Sequence, residues 1–312
     1  MRIDAWADER VPPTAALAVA IAAISTSAIL VRWSDAPGVV KAFYRVLFMT
    51  ALVAPVAFRR DPGAIRQIAN RDLVAAIGAG VALAVHFAVW FESLRYTSVA
   101  ASVTLVQSQP IFVAIGAYVL LDERVTRRTV GGILLAVAGA AVMSLADPGA
   151  TVPVQGRALL GNGLAASGAV AFAAYGLAGR SIRQRVGLFP YVTVVYAVAA
   201  AVLFAFVVGR ELALGHSTGA LAGTFMAYPP REWLLFLAMA VLPGIFGHTV
   251  VNWALEHLKS SVVSVSLLGE PVGSTVLAVV LLSEVPTPAT VVGGGVVLFG
   301  IWVTTTSTPR PG

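Results

Sequence analysis

Two histidines stand in matching company inside apolar stretches of this chain. Gly78, Ala82, His86 and Trp90 follow one another at four-residue steps, and so do Ala240, Gly244, His248, Asn252 and Glu256. On a helix that spacing gathers each set on one face, which runs from small residues to an imidazole and then to an aromatic or an amide. An imidazole titrates near neutral pH, so either could relay a proton. The alternative for each is a bond to a neighbouring backbone carbonyl that ties helices together. A third group is Glu270, placed directly before Pro271 near the middle of a further apolar stretch. Proline removes a backbone hydrogen bond and frees a carbonyl nearby. A carboxyl beside such a break, deep in apolar surroundings, is a candidate to carry a proton or to hold an amine. Its alternative is a neutral, hydrogen-bonded structural role.

The elements that must position these groups are membrane spans. The chain has 312 residues, 58% hydrophobic and only 12% charged, with mean hydropathy +0.86. A soluble domain carries about twice that charged share. Apolar runs near 20 residues recur at roughly 13–32, 37–58, 73–95, 98–121, 128–146, 157–180, 187–209, 232–256, 261–283 and 287–306. The expected fold is an all-α polytopic membrane protein with ten transmembrane helices. Asp4, Asp8 and Glu9 make the start a poor signal-peptide n-region, so the first apolar run is read as retained.

The sequence also matches itself. A shift of 161 positions lays Leu94 on Leu255, Gln109 on Glu270, Pro110 on Pro271, Glu123 on Glu284, Gly132 on Gly293 and Gly139 on Gly300. The two histidines are offset by 162. The expected units are residues 13–146 and 157–306, five spans each. An odd number of spans per unit forces the two copies into opposite orientations, so they form inverted five-helix repeats. With the N-terminus inside, 14 of the 21 Lys and Arg residues fall on the inner side, which puts both termini in the cytoplasm of a plasma or inner membrane. The long connection from about Arg210 to Arg231 is then external, and its Gly, Ser, Thr and Pro content reads as a flexible loop.

Several chemistries are excluded by residue type. The chain has no cysteine, so disulfides and thiolate chemistry are absent. No zinc motif of the His-Glu-x-x-His type and no phosphate-cradling Gly-x-x-x-x-Gly-Lys occurs, so no metal, cofactor or ATP-driven step is expected and the chain does not read as an enzyme. The net charge of +6 follows from basic residues in short loops, not from a nucleic-acid surface. Glu92 and Arg95 have the spacing of an interfacial ion pair, and Lys41 and Arg45 open the second span, where they either snorkel or form an anion-attracting vestibule with Tyr44. Gly161, Ala165, Ala169 and Ala173 read as a packing stripe beside Asn162 and Tyr175, and the glycine clusters Gly131-Gly132 and Gly293-Gly294-Gly295 likewise.

With these landmarks in place, SLRYTSVAASVTLVQSQPIFVAIGAYVLLDERVTRRTVGGILLAVAG resembles the end of an EamA domain, and GHTVVNWALEHLKSSVVSVSLLGEPVGSTVLAVVLLSEVPTPATVVGGGVVLFG resembles a second copy. STSAILVRWSDAPGVVKAFYRVLF fits the first two spans of such a unit. Over residues 13–306 the chain resembles the drug/metabolite transporter superfamily. That resemblance implies ten helices in two inverted repeats around a central cavity, and movement of amino acids or other metabolites by proton antiport or exchange. Asp122-Glu123 and Ser283-Glu284 depart from the usual Gly-Glu of that pattern.

The candidate substrate-binding or coupling residues are Glu270, His86, His248, Asn252, Trp90, Gln109, Gln107 and Trp253. The basic residues are expected at span ends, so the deep groups suit a zwitterion, an amine or a neutral polar solute rather than polyphosphate cargo. The expected partners are a small-molecule substrate and the lipid bilayer; a proton and a second copy of the chain stay open. The reading is a secondary active exporter of small organic metabolites, and its rival is a non-transporting scaffold or receptor-like subunit, which would need the same polar groups fully paired. Reporter fusions after Gly312 and within 215–225 are expected to report a cytoplasmic C-terminus and an external connection. An external C-terminus would contradict the inverted repeat.

Overall fold

The computed structural model describes residues 12–93, 96, 99–145, 157–215, 217–283 and 285–306, and Leu94, Arg95 and Glu284 lie outside them. Nine helical stretches among the described residues are long and apolar enough to cross a membrane. They are Pro13–Trp33, Gly38–Arg60, Asn70–Ser93, Ser102–Leu120, Leu159–Arg183, Leu188–Ala213, Pro230–His257, Ser260–Leu281 and Pro288–Thr306. A further helix, Arg127–Leu145, takes the fifth place in the order of ten spans. Leu134, Leu159, Phe206, Val280, Val291 and Phe299 are exposed, the surface expected of a chain whose solvent is lipid.

Helix packing follows a two-fold pattern. The third span packs on the sixth, as the eighth does on the first. The fourth packs on the sixth, as the ninth does on the first, and the third on the seventh, as the eighth on the second. The second with the seventh, the fourth with the ninth and the fifth with the tenth are their own mates under the same exchange. The pairings are thus exchanged between the two halves, the pattern expected of two related five-span repeats.

The fifth and tenth spans meet backbone to backbone. A Cβ added to Gly139 would sit 2.7 Å from the Gly293 carbonyl oxygen, and one added to Gly300 would sit 2.7 Å from that of Gly132. Without a hydrophobic drive between helices in lipid, such close packing is a main source of association. In the third span the close approach does not use Gly78, which has open space around its Cβ position. It uses Gly80, two residues on, against the carbonyl of Val195. The expected small-residue stripe therefore lies beside the contact, not in it. The sixth-span stripe does pack, with Ala165, Ala169 and Ala173 buried.

Among the described residues, three spans are not continuous α-helices. The fourth breaks at Gln107-Ser108, between Val99–Val106 and Gln109–Leu120. The ninth breaks at Leu267-Leu268, between Ser260–Ser266 and Gly269–Leu282. The breaks lie one and two residues before the prolines matched by the repeat, Pro110 and Pro271, which sit in the first turns of the second half-helices, where a missing amide donor is tolerated. In the eighth span, Ala240–Thr249 widens to a π-helix around Pro243, which the sequence reading had passed over as a plain span.

The connection between the seventh and eighth spans is not the flexible loop expected from its composition. The seventh span runs on to Ala213, and a short helix, Thr218–Met226, follows. Its Phe225 is buried against Phe43 and Phe204, and the Phe225 carbonyl accepts a 2.5 Å hydrogen bond from Tyr44 Oη, so apolar burial outweighs the Gly and Ser content.

Asp122 and Ser283, the two departures from Gly-Glu, have left-handed backbone conformations, with φ of 51° and 55°. Side chains other than glycine pay about 1 kcal/mol there. Ser283→Gly is expected to raise the melting temperature in detergent, and Gly139→Leu to lower it by more than the ~1–3 kcal/mol of ordinary overpacking would. A Gly139→Leu protein as stable as wild type would contradict the backbone contact of the fifth and tenth spans.

Candidate functional site

A cavity of about 490 Å³ lies between the two repeats. Its wall holds Arg45 from the second span, His86, Phe87 and Trp90 from the third, Gln107 and Gln109 from the fourth, His248 from the eighth, and Glu270 and Thr275 from the ninth. Both helix breaks open onto it. Gln109 and Glu270 occupy the first turns of the second half-helices, one from each repeat. Discontinuous helices at mid-membrane are stable only where they line a cavity or are buried in protein, and here the freed groups find partners. Gln109 Nε2 donates to the Ser264 carbonyl at 3.0 Å, linking the fourth and ninth spans. Ser25 Oγ donates to the Glu270 carbonyl at 3.2 Å.

The structure brings Glu270, His86, His248, Trp90, Gln107 and Gln109 to one wall. His86 Nδ1 lies 2.9 Å from the Gly168 carbonyl, which ties the third span to the sixth, and its ring stacks on Trp90 at 5.9 Å between centroids. That contact fixes the ring: Nδ1 carries the proton when it donates, leaving Nε2 the free atom. His248 sits among Phe87, Phe172 and Tyr175, with centroids 6.1 to 6.4 Å away. Asn252 and Trp253 do not reach the cavity wall. Asn252 is fully buried below His248, where its Nδ2 donates to Tyr175 Oη at 2.5 Å and to the His248 carbonyl at 2.8 Å. Trp253 lies against His257 in a tilted ring contact, 4.4 Å between centroids.

Arg45 is the residue that sequence reasoning placed wrongly. It was expected at a span end, together with Lys41. It lies about 10 Å down the second helix, which starts at Gly38, and its side chain is drawn inward by the partners it finds on the first and eighth spans. Its Nη1 donates to Ser27 Oγ at 3.2 Å and its Nη2 to the Pro243 carbonyl at 3.1 Å, and its guanidinium lies 5.3 Å from the Phe87 ring centroid. The Pro243 carbonyl is in the π-helical stretch, so Arg45 satisfies a backbone group that the widened helix leaves available. The sequence signal that could have found it is Arg45 paired with Pro243, a cation and a helix breaker in spans that pack together. Lys41 forms no vestibule. Its Nζ donates to the carbonyls of Val31 and Ser34, closing the end of the first span. The expected partner of Glu92, Arg95, lies outside the described residues.

The two ends of the cavity differ. One reaches the surface at Val285, Pro286 and Thr287, beside the corner that follows the ninth span, and Val285 is exposed. The other end is closed. Arg180 Nε donates to Glu123 at 3.0 Å, and the same carboxylate accepts from the Ser260 amide and hydroxyl at 3.0 to 3.2 Å. Arg183 pairs with Glu256 and donates to the Asn252 carbonyl. Arg185 pairs with Asp72 at 2.7 Å, and these hydrogen bonds hold the Arg185 guanidinium above its ordinary range. Tyr175, Tyr191 and Tyr196 fill the space between this layer and the cavity, all fully buried. Among the described residues no cluster of three or more His, Asp or Glu side chains is arranged for a metal ion.

Comparison with known proteins gives the same outline. The model of the EamA-like transporter family matches residues 13–145 and 159–306. An uncharacterized transporter of Archaeoglobus fulgidus is 22% identical over 264 residues, 85% of this chain and 86% of that protein. A probable terminal-alkyne amino-acid exporter of Streptantibioticus cattleyicolor is 26% identical over 255 residues, 81% and 80% of the two chains. A solved crystal structure with a TM-score of 0.74 and 22% identity covers 95% of this chain and 96% of its own, and shows the shared fold.

Single cysteines at Ser27, Ser274 and Thr275 are expected to react with a membrane-impermeant thiol reagent added on the side of the 213–230 connection, while cysteines at Ser261 and Asn252 stay protected from both sides. Equal protection at all five positions would mean that the cavity is sealed.

Proposed function

The chain belongs to the EamA-like transporter family, and from that premise we propose that it is a secondary active exporter of small organic metabolites across the plasma or inner membrane. It is a multi-pass membrane transporter; direction, cargo and coupling are the proposal. The observation that carries it is the cavity between the two repeats, reaching the surface at one end and closed at the other by paired charges. Alternating access needs such an asymmetric pair of ends, exchanged as one repeat rocks against the other. The two rocking units are residues 13–146 and 157–306, with both termini cytoplasmic. In that orientation the Glu123–Arg180 and Arg183–Glu256 layer closes the cytoplasmic side. Export as the direction is supported by the amino-acid exporter among the relatives.

A scaffold would need its buried polar groups fully paired. Arg45 Nε, Trp90 Nε1 and Gln109 Oε1 are buried atoms of cavity-lining residues and have no hydrogen-bond partner among the described residues. An unpaired buried polar group costs about 1–3 kcal/mol, a cost that a purely structural role leaves standing.

Glu270 is the proposed coupling residue. It is a carboxyl on the cavity wall at the ninth-span break, and its repeat mate, Gln109, cannot titrate. His86, held to Gly168, and His248 are the next proton carriers in line. Glu270→Gln keeps shape and hydrogen-bonding capacity. Proteoliposomes carrying it are expected to exchange solute across the membrane but to lose stimulation by a pH gradient. Unchanged gradient-driven transport would assign Glu270 a structural role.

A further inference from the structure

The third and seventh spans touch closely at one level and part beyond it. A Cβ added to Gly80 would sit 2.7 Å from the Val195 carbonyl oxygen and from Val198 Cβ. Glu92 lies about 18 Å further along the third helix, and there the two spans leave a groove between them. Its volume is about 450 Å³, and it is lined by Glu92 from the third span and by Ala205, Phe206, Gly209 and Arg210 from the seventh. That is within the usual size of small-molecule sites, about 300–1,000 Å³. Val198, Ala205 and Gly209 follow at seven- and four-residue steps, so the groove continues the helix face that meets Gly80. A Cβ added to Gly209 would meet nothing within 4 Å, so the groove is open above it. None of these residues lines the cavity between the repeats.

The two charges stand at one depth. Glu92 is one residue from the end of the third helix, and Arg210 lies in the last turn of the seventh, on the side that carries the 213–230 connection. Helix ends at that level meet lipid headgroups. The surface toward the bilayer centre is apolar: Phe206 is exposed in the groove, and Val81 and Val85, on the Glu92 face of the third helix, are exposed as well. No ion pair engages the Arg210 guanidinium among the described residues. A carboxylate has about four acceptor sites, so Glu92 can serve an added ammonium group along with a neighbour in its own chain. A cation and an anion flanking one groove, above an apolar strip, match a phospholipid whose headgroup carries both charges. Independently of the transport reading, we infer that this groove binds one phosphatidylethanolamine molecule. Its phosphate takes the Arg210 guanidinium, its primary ammonium donates to Glu92, and an acyl chain follows Phe206, Val85 and Val81. A choline headgroup has no N–H to donate, and a glycerol headgroup has no cation, so Glu92 sets the headgroup preference.

The test is native mass spectrometry of the purified full-length protein, titrated with phosphatidylethanolamine, phosphatidylcholine and phosphatidylglycerol of identical acyl chains. Loss of one charge-assisted hydrogen bond weakens binding ~10-fold, and that preference for phosphatidylethanolamine over both other lipids is expected of the wild type for one bound molecule. Glu92→Gln is expected to bring phosphatidylethanolamine down to the level of phosphatidylcholine. Arg210→Gln removes the phosphate contact common to the three lipids and is expected to weaken all of them. Gly209→Leu fills the open part of the groove and is expected to do the same. Equal affinity of the wild type for the three lipids would mean an ordinary lipid annulus and overturns the site. That comparison stands even if a variant fails to fold. A headgroup preference that survives in Glu92→Gln, or wild-type affinity in both Arg210→Gln and Gly209→Leu, places the lipid elsewhere and overturns it too.

Discussion

The lipid interior permits no orphaned backbone groups, and the structure depends on how three broken spans meet that constraint. Gln107-Ser108, Leu267-Leu268 and the π-helix at Pro243 interrupt the regular ladder at mid-chain of the fourth, ninth and eighth spans. Each exposes backbone that would cost several kcal/mol against lipid. The groups around them are satisfied from neighbouring spans, by Gln109 at Ser264, by Ser25 at Glu270 and by Arg45 at Pro243. Two of the three side chains that make that repair, Gln109 and Arg45, also line the cavity. The same residues therefore keep the helices foldable and make the space between them polar.

The rest of the bundle frames this centre. The fifth and tenth spans lock the two repeats together at their periphery through glycine contacts that leave almost no room. The second and seventh, packed on one another, form the opposite flank, with Tyr44 stacked on Phe236 and capped by the Phe225 carbonyl. Between these flanks, the third, fourth, eighth and ninth spans with Arg45 of the second carry much of the cavity wall, and Tyr175 of the sixth span with Tyr191 and Tyr196 of the seventh fill the layer below it. An isolated surface ion pair contributes little, but Glu123 is buried and accepts from Arg180 and from the Ser260 amide and hydroxyl together. Those bonds are charge-assisted and bridge the loop after the fourth span to the start of the ninth, so opening this end means breaking several at once.

Spans, duplication and the ninth-span break were legible in the sequence because each rests on a local signal: apolar length, a fixed 161-residue shift, and a proline after a polar residue. The place of Arg45 was not legible. A basic residue near a span start reads as an interfacial cation, and only the packing of the second span on the π-helical part of the eighth shows that its side chain is drawn inward. The short helix in the 213–230 connection was hidden by turn-forming residues whose neighbours bury aromatic rings. His86 shows the limit of periodicity. The spacing gathered it with Trp90 on one face and left open a bond to a backbone carbonyl between helices, and the structure puts Nδ1 2.9 Å from the Gly168 carbonyl while the ring also lines the cavity. Asn252 and Trp253 share the eighth span with His248 but fall below the cavity and beside His257, since a turn of helix is enough to leave the wall.

The central claim is that the ion-paired end is a gate that alternates with the open end. The most direct measurement is the distance between spin labels at Gln184 and His257, at the closed ends of the sixth and eighth spans, in lipid nanodiscs. Removing the closure with Glu123→Gln is expected to add a population at longer distance, with the labels at the opposite end drawing together. A single distance distribution, unchanged from wild type at both ends, would contradict the account.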